Sequence, residues 1–160
     1  MATIQRITPS FWFDRQAEEA AKYYTSIFPN SSIGRISRYG KEGYEIHQMP
    51  AGTVLTVDFT LDGQKFSALN GGPLFTFNES ISFIVSCKDQ QELDYYWDRL
   101  KEGGDERSQQ CGWLKDKFGV SWQVVPAILP QLMDDPARSG RVMTALLKMK
   151  KLDIKQLEEA

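Results

Sequence analysis

The sequence predicts an α+β fold: two tandem βαβββ modules followed by C-terminal helices. Three observations predict it. First, the chain repeats itself: SFWFDRQAEEAAKYYTSIF from Ser10 lies over SFIVSCKDQQELDYYWDRL from Ser82 at a constant offset of 72 (82 − 10). Ser10-Phe11 meets Ser82-Phe83, and Tyr23-Tyr24 meets Tyr95-Tyr96, without a gap. Second, each copy opens as a short apolar strand and runs into an amphipathic helix. Third, strand-like runs follow each helix, and Asp62-Gly63 between two of them is a strong hairpin signal.

The elements follow in order. On the first helix Ala17, Ala20, Ala21, Tyr24, Ile27 and Phe28 keep helical spacing; on the second Leu93, Tyr96, Trp97 and Leu100 do the same. Pro29-Asn30 and Gly103-Gly104 end them. Strands are expected at 32–39, 52–61 and 64–69 in the first half, and at 107–115 and 120–125 in the second, the last two flanking the turn Asp116-Lys117-Phe118-Gly119. After Pro126 the chain turns helical. AILPQLM is short, Pro136 sits at a first-turn position of ARSGRVMTALLKMK, and LDIKQLEEA makes a last turn or two. Val142, Leu146, Met149 and Leu152 keep an apolar stripe there. The organisation is a single domain, 1–160, containing a first module at 1–70, a linker at 71–79, a second module at 80–126 and a helical extension at 127–160.

Composition narrows the function classes. With 41% apolar and 25% charged residues the 160-residue chain reads as ordinary soluble globular protein. A net charge of -2 leaves no basic footprint, so nucleic acid is not an expected partner. Cys87 and Cys111 have no metal or redox spacing, and a reduced, cytoplasmic protein is expected. Met1 opens directly onto ATIQRITPSFWFD, with no signal-type start and no membrane-length apolar run, so no membrane partner is expected either.

The doubled unit resembles the vicinal oxygen chelate superfamily of glyoxalase, bleomycin-resistance and dioxygenase proteins. FWFDRQAEEAAKYYTSIFPNSSI, LDGQKFSALNGGP, ISFIVSCKDQQELDYYWDRL and CGWLKDKFGVSWQVVP resemble its PhnB-like branch, often labelled demethylubiquinone methyltransferase-like, and VMTALLKMKKLDI extends the likeness toward the end. The resemblance implies a curled mixed sheet with helices outside, a cup for a ligand inside, and a homodimer. A fold of this kind does not fix an activity.

Period-2 alternation assigns the faces. A two-residue Asp62-Gly63 loop pairs Asp58 with Ser67, and places Leu55, Val57, Phe59, Leu61, Phe66 and Ala68 under a helix. Thr56, Asp58, Thr60, Lys65, Ser67 and Leu69 take the cup face, as do Ser121, Gln123 and Val125 in the second half, and Ser10, Trp12, Ser82 and Ile84 on the opening strands. Trp122 reads as core. Trp12 and Trp113 read either as a stacking wall for a planar or apolar ligand or as packing in a core or dimer. Gln123 is an amide in a partly apolar cup, so it meets another side chain or waits for a ligand.

The metal positions of the superfamily, carried over onto this chain, fall on Thr8, Ser67, Ser80 and Gln123, with Glu79 one residue away. Hydroxyls and an amide are poor ligands for Zn, Ni, Mn or Fe, so no metal is expected. No glycine-rich turn follows FWFD and no GxGxxG or Walker loop occurs, so a methyl-donor or nucleotide cofactor is not expected; NGGP reads as a linker. His47 lies outside any strand position and reads as a loop residue. Two functions remain. One is a metal-free, cofactor-free binder of a small molecule, with Trp12, Ser67, Leu69, Ser82, Trp113, Ser121 and Gln123 at the ligand. The other is a metal-free enzyme on a small, aromatic or quinone-like substrate, with Asp58 as general base, Ser67 and Gln123 orienting, and Lys65 or His47 as electrostatic help.

Overall fold

A computed structural model describes residues 3–160. The chain divides into two compact units, one reaching to Thr76 and the other starting at Phe77. Each holds a mixed sheet, and neither sheet continues into the other.

In the first unit β1 (Ser10–Phe13) leads through α1 (Ala17–Ile27) to β2 (Ser32–Arg38), the one-turn α2 (Tyr44–His47), β3 (Val54–Leu61) and β4 (Gln64–Asn70). The sheet order is β1-β4-β3-β2, with β1 parallel to β4 and the other pairs antiparallel. Asp62 (φ 46°) and Gly63 (φ 80°) both turn left-handed, the geometry a two-residue hairpin needs. They set Asp58 opposite Ser67 and Thr60 opposite Lys65, as the alternation predicts.

One face of this sheet is covered. Ala17, Ala20 and Ala21 are fully buried, and their small side chains let α1 lie close to the strands. Tyr24 then meets Phe11 and Phe59 at centroid distances of 6.1 and 6.4 Å, while Phe66 stacks on Phe11 at 5.9 Å. Asn70 ties the end of β4 to the start of α1: its Oδ1 accepts from the Ala17 N–H (2.9 Å) and its Nδ2 donates to the Val54 carbonyl (3.1 Å). Leu55, expected in this core, is only half-buried near the start of β3.

The second unit runs β5 (Ser82–Cys87), α3 (Gln90–Lys101), a 3-10 turn (Glu106–Ser108), β6 (Trp113–Lys115) and β7 (Ser121–Pro126). Three helices follow, α4 (Leu129–Asp134), α5 (Ser139–Leu146) and α6 (Ile154–Glu158). The sheet order is β5-β7-β6, and β5 runs parallel to β7 as β1 does to β4. Leu93, Tyr96, Trp97 and Leu100 of α3 are buried, as predicted. The second tyrosine of each Tyr-Tyr pair is the buried one, so the repeat carries the same packing role twice.

Two elements differ from the sequence reading. The strand expected over 107–115 is broken, because Cys111 (φ 53°) and Gly112 (φ 83°) form their own two-residue turn, closed by Trp113 N–H to the Gln110 carbonyl at 2.8 Å. Only Trp113–Lys115 remains as strand, and this module has two strands after its helix rather than three. The C-terminal stripe is also not one helix: α5 begins after Pro136, at Ser139, and stops at Leu146. Val142 and Leu152 are nonetheless fully buried within this unit, so its own core covers part of the stripe. The Cys111 and Gly112 N–H groups donate to the Met149 and Lys150 carbonyls at 2.8 Å each, which docks the tail on the turn.

The turn Asp116–Gly119 is held from inside. Asp116 is 2% exposed, and its Oδ1 accepts from the N–H groups of Phe118 (2.8 Å) and Val120 (3.1 Å). Its Oδ2 accepts from the Trp122 indole N–H at 2.8 Å. Trp122 is therefore core, as predicted, and its ring is anchored to the carboxylate that shapes the turn. Asp116→Leu removes the acceptor of those three donors. At about 1–3 kcal/mol for each stranded buried donor, urea denaturation should show a stability loss of roughly 3 kcal/mol or more. A loss below about 1 kcal/mol would show that the carboxylate does not organise the turn.

Candidate functional site

Helices cover one face of each sheet, and the residues on the other face form rows across the strands. In the first unit the register aligns Ser10, Ser67 and Asp58 in one row and Trp12, Leu69 and Thr56 in the next. In the second it aligns Ser82, Ser121 and Lys115, then Ile84, Gln123 and Trp113. Ser121 is thus the counterpart of Ser67, and Gln123 that of Leu69.

Asp58 owes its surroundings to a bulge. Ile33 pairs with Phe59 and Ile36 with Val57, so Gly34 and Arg35 together face Asp58. A Cβ on Gly34 would lie 3.1 Å from the Asp58 carbonyl oxygen, tighter than ordinary contact. Arg35 Nε lies 4.0 Å from Asp58 Oδ2, and the Asp58 side chain remains half-exposed. The pairing is long and solvated, so it contributes little to stability. Asp58, Thr8, Gly34, Thr60 and Lys65 line a pocket of about 320 Å³ at the level of Phe59 and Phe66. Arg35 was not singled out in the sequence; the glycine inside SIGRISRY is the signal that marks the bulge.

Trp12 is held in place by its neighbours. Its indole N–H donates to the Gly72 carbonyl at 2.9 Å, and its ring meets Phe75 edge-on at 4.9 Å. A Cβ on Gly71 would fall 2.2 Å from the ring. NGGP is therefore more than a linker, since its glycines form the seat of Trp12.

In the second unit Gln123 Nε2 donates to Ser82 Oγ at 2.9 Å. The Ser121 hydroxyl, in the same row as Ser82, is buried without a hydrogen-bond partner. Lys115 forms an ion pair with Glu79, and this bond holds the Glu79 carboxyl below its usual range. Trp113 is half-buried and Ile84 is 63% exposed. Cys87 is no nucleophile: burial, then the nearby Glu92 and Asp89 charges, push its thiol up to about 12. His47 sits on α2, half-buried, away from the strand rows.

Residues 5–125 match the family described as 3-demethylubiquinone-9 3-methyltransferase. The chain belongs to this family. It is 38% identical to a PhnB protein from Bacillus cereus, assigned provisionally as a 3-demethylubiquinone-9 3-methyltransferase. That comparison covers 77% of this chain and 100% of the other, with a TM-score of 0.65. A protein from Pseudomonas aeruginosa, 18% identical over 77% of this chain and 98% of its own, shares the fold with a TM-score of 0.57. No curated protein matches the chain. The family match ends at residue 125, so VMTALLKMKKLDI lies beyond it.

The family description implies a methyl donor such as S-adenosylmethionine, and the residues present do not fit one. The turn after β1 passes through Asp14-Arg15-Gln16 without a glycine. The buried Ala17 N–H in the first turn of α1 is already taken by Asn70. The superfamily's metal positions fit no better. Ser80 Oγ donates to Asn78 Oδ1 at 2.6 Å, and Gln123 is engaged with Ser82. Among the described residues no three His, Cys, Asp or Glu side chains gather as a ligand set.

The seat of Trp12 is testable. Gly71→Ala must move the indole or the backbone beside it, so near-ultraviolet circular dichroism should change and stability should fall by about 1–3 kcal/mol. An unchanged spectrum and an unchanged melting curve would contradict the contact.

Proposed function

We propose that this protein binds a small organic molecule on the open faces of its sheets, without a metal or a methyl donor. The observation that carries the reading is the pocket at Asp58. It combines a half-exposed carboxylate, two threonine hydroxyls and a lysine, and its volume lies at the small end of ligand sites. The Gln123 amide adds support. Its Nε2 has one partner, which leaves its oxygen to accept from a ligand. A homodimer is part of the proposal, supported by the edge position of β5 and by Ile81 and Ile84, which are 71% and 63% exposed.

An enzymatic reading, with Asp58 as base, is favoured by the loose hold of Arg35, which leaves the half-exposed carboxylate within reach of a substrate. Turnover of a bound compound that Asp58→Asn abolishes while binding persists would establish it.

Native mass spectrometry after gentle purification tests all parts of the proposal. It should read a paired chain carrying a small organic adduct and no transition metal. Gln123→Leu loses one neutral hydrogen bond, so stability should change by no more than about 1.5 kcal/mol. Adduct occupancy should fall several-fold in that variant and in Asp58→Asn. Protein that carries no adduct, and whose melting temperature no small molecule in a broad panel raises, would end the binding reading. One zinc, nickel, manganese or iron per chain would end its metal-free part.

A further inference from the structure

The segment between β2 and β3 holds the only histidine in the sequence. His47 Nδ1 accepts from the Met49 backbone N–H at 2.9 Å, and Nε2 lies 2.9 Å from the Glu42 carbonyl oxygen. A backbone N–H can only donate and a carbonyl can only accept. The ring that satisfies both is neutral, with its hydrogen on Nε2. Between the two bonded residues Gln48 is held left-handed at φ 55°, a conformation uncommon outside glycine. The ring also lies 4.5 Å from the Tyr39 ring and 6.4 Å from that of Tyr44.

The bond fastens something specific. Met49 is 2% exposed, and its Cε lies 3.9 Å from where a Cβ on Gly72 would sit. Gly72 in turn accepts the Trp12 indole N–H. The imidazole thus bonds the backbone of a residue whose side chain ends near Gly72, the residue that holds the Trp12 indole.

We propose that His47 is a pH-operated latch that holds the 40–53 loop on Met49 when neutral and releases it when protonated. A proton on Nδ1 would set one donor against another, so the Met49 N–H loses its acceptor and the ring gains a charge. The latched state excludes that proton and the open state accepts it, so falling pH shifts the balance toward opening. The titratable groups whose rings lie beside the imidazole are Tyr39, just after β2, whose hydroxyl donates to the Asn70 carbonyl at 2.6 Å, and Tyr44 on α2. Lys41, Glu42 and Glu45 flank it along the segment. At the end of β2 Arg38 donates to the Gly52 carbonyl at 3.1 Å, which pins the far end of the loop. The latch stands whether or not the open face binds a small molecule.

Hydrogen exchange of the ¹⁵N-labelled full chain tests it. After correction for intrinsic rates, protection of the Met49 amide should fall about tenfold between about pH 8 and about pH 5. His47→Asn keeps a neutral oxygen acceptor near the Nδ1 position, so protection should persist and lose its pH dependence. His47→Leu removes the acceptor, so protection should be low throughout. Wild-type protection that is the same at both ends of the range overturns the latch. So does pH dependence that survives in His47→Asn, or high protection in His47→Leu.

Discussion

Each unit is organised by the parallel pairing of its first strand with its last, β1 with β4 and β5 with β7. A parallel pair cannot be joined by a tight turn. The chain must cross over, and the crossover helix then lies on one face of the sheet. The apolar stripes of α1 and α3 cover that face, through Tyr24 in one unit and Tyr96 and Trp97 in the other. The polar rows opposite follow directly: residues one step out of phase with Phe59 or Trp122 must point away from the helix. Asp58, Ser67, Ser82 and Gln123 are therefore on the open faces because of strand periodicity, whatever they do there.

The repeat lets the two rows be compared. Ser10-Ser67 and Ser82-Ser121 are matching serine pairs, but the third member is Asp58 in one unit and Lys115 in the other. These charges are also held differently. Lys115 is committed to Glu79, whereas Asp58 keeps only a 4.0 Å approach from Arg35. A committed ion pair must be broken before its lysine can bind anything else, and that cost works against recruitment. A solvated carboxylate beside a pocket has no such commitment. The first unit thus offers more available charge, and the second offers the neutral Gln123 amide oxygen, its Ser121 hydroxyl being buried.

Most of the fold was legible because it depends on period and punctuation. Helical spacing identified all of the buried positions of α3, and Asp62-Gly63 set the β3–β4 register to the residue. What was not legible depends on single atoms. Cys111-Gly112 makes a turn inside an apparently continuous strand, because a cysteine can go left-handed when the tail's Met149 and Lys150 carbonyls receive its turn's N–H groups. Asp116 looks like a solvated turn charge in the string DKFG, and only the Trp122 indole beside it makes burial tolerable. Arg35 reaches Asp58 through a bulge that strict alternation cannot express. At the site the sequence named the open-face residues but not their partners. The Trp12–Gly72 bond and the Gln123–Ser82 bond each join residues about forty or more positions apart.

The open face of the first unit is stiff at one end and adaptable at the other. At the stiff end Trp12 is fixed by a backbone carbonyl, by the missing Cβ of Gly71 and by the edge of Phe75, with the Met49 side chain ending near Gly72. An indole held on this many sides cannot adjust its plane to a guest. At the other end Arg35 and Lys65 are exposed, and Asp58 is loosely paired. Long cations of this kind change rotamer freely and add charge complementarity more than shape. On the binding proposal, discrimination between ligands of different shape belongs to the Trp12 end, and tolerance of different polar groups to the Asp58 end. Such a division explains why a loop latch would act through Met49. Loosening the one rigid wall alters selectivity, whereas loosening a side already mobile would alter nothing.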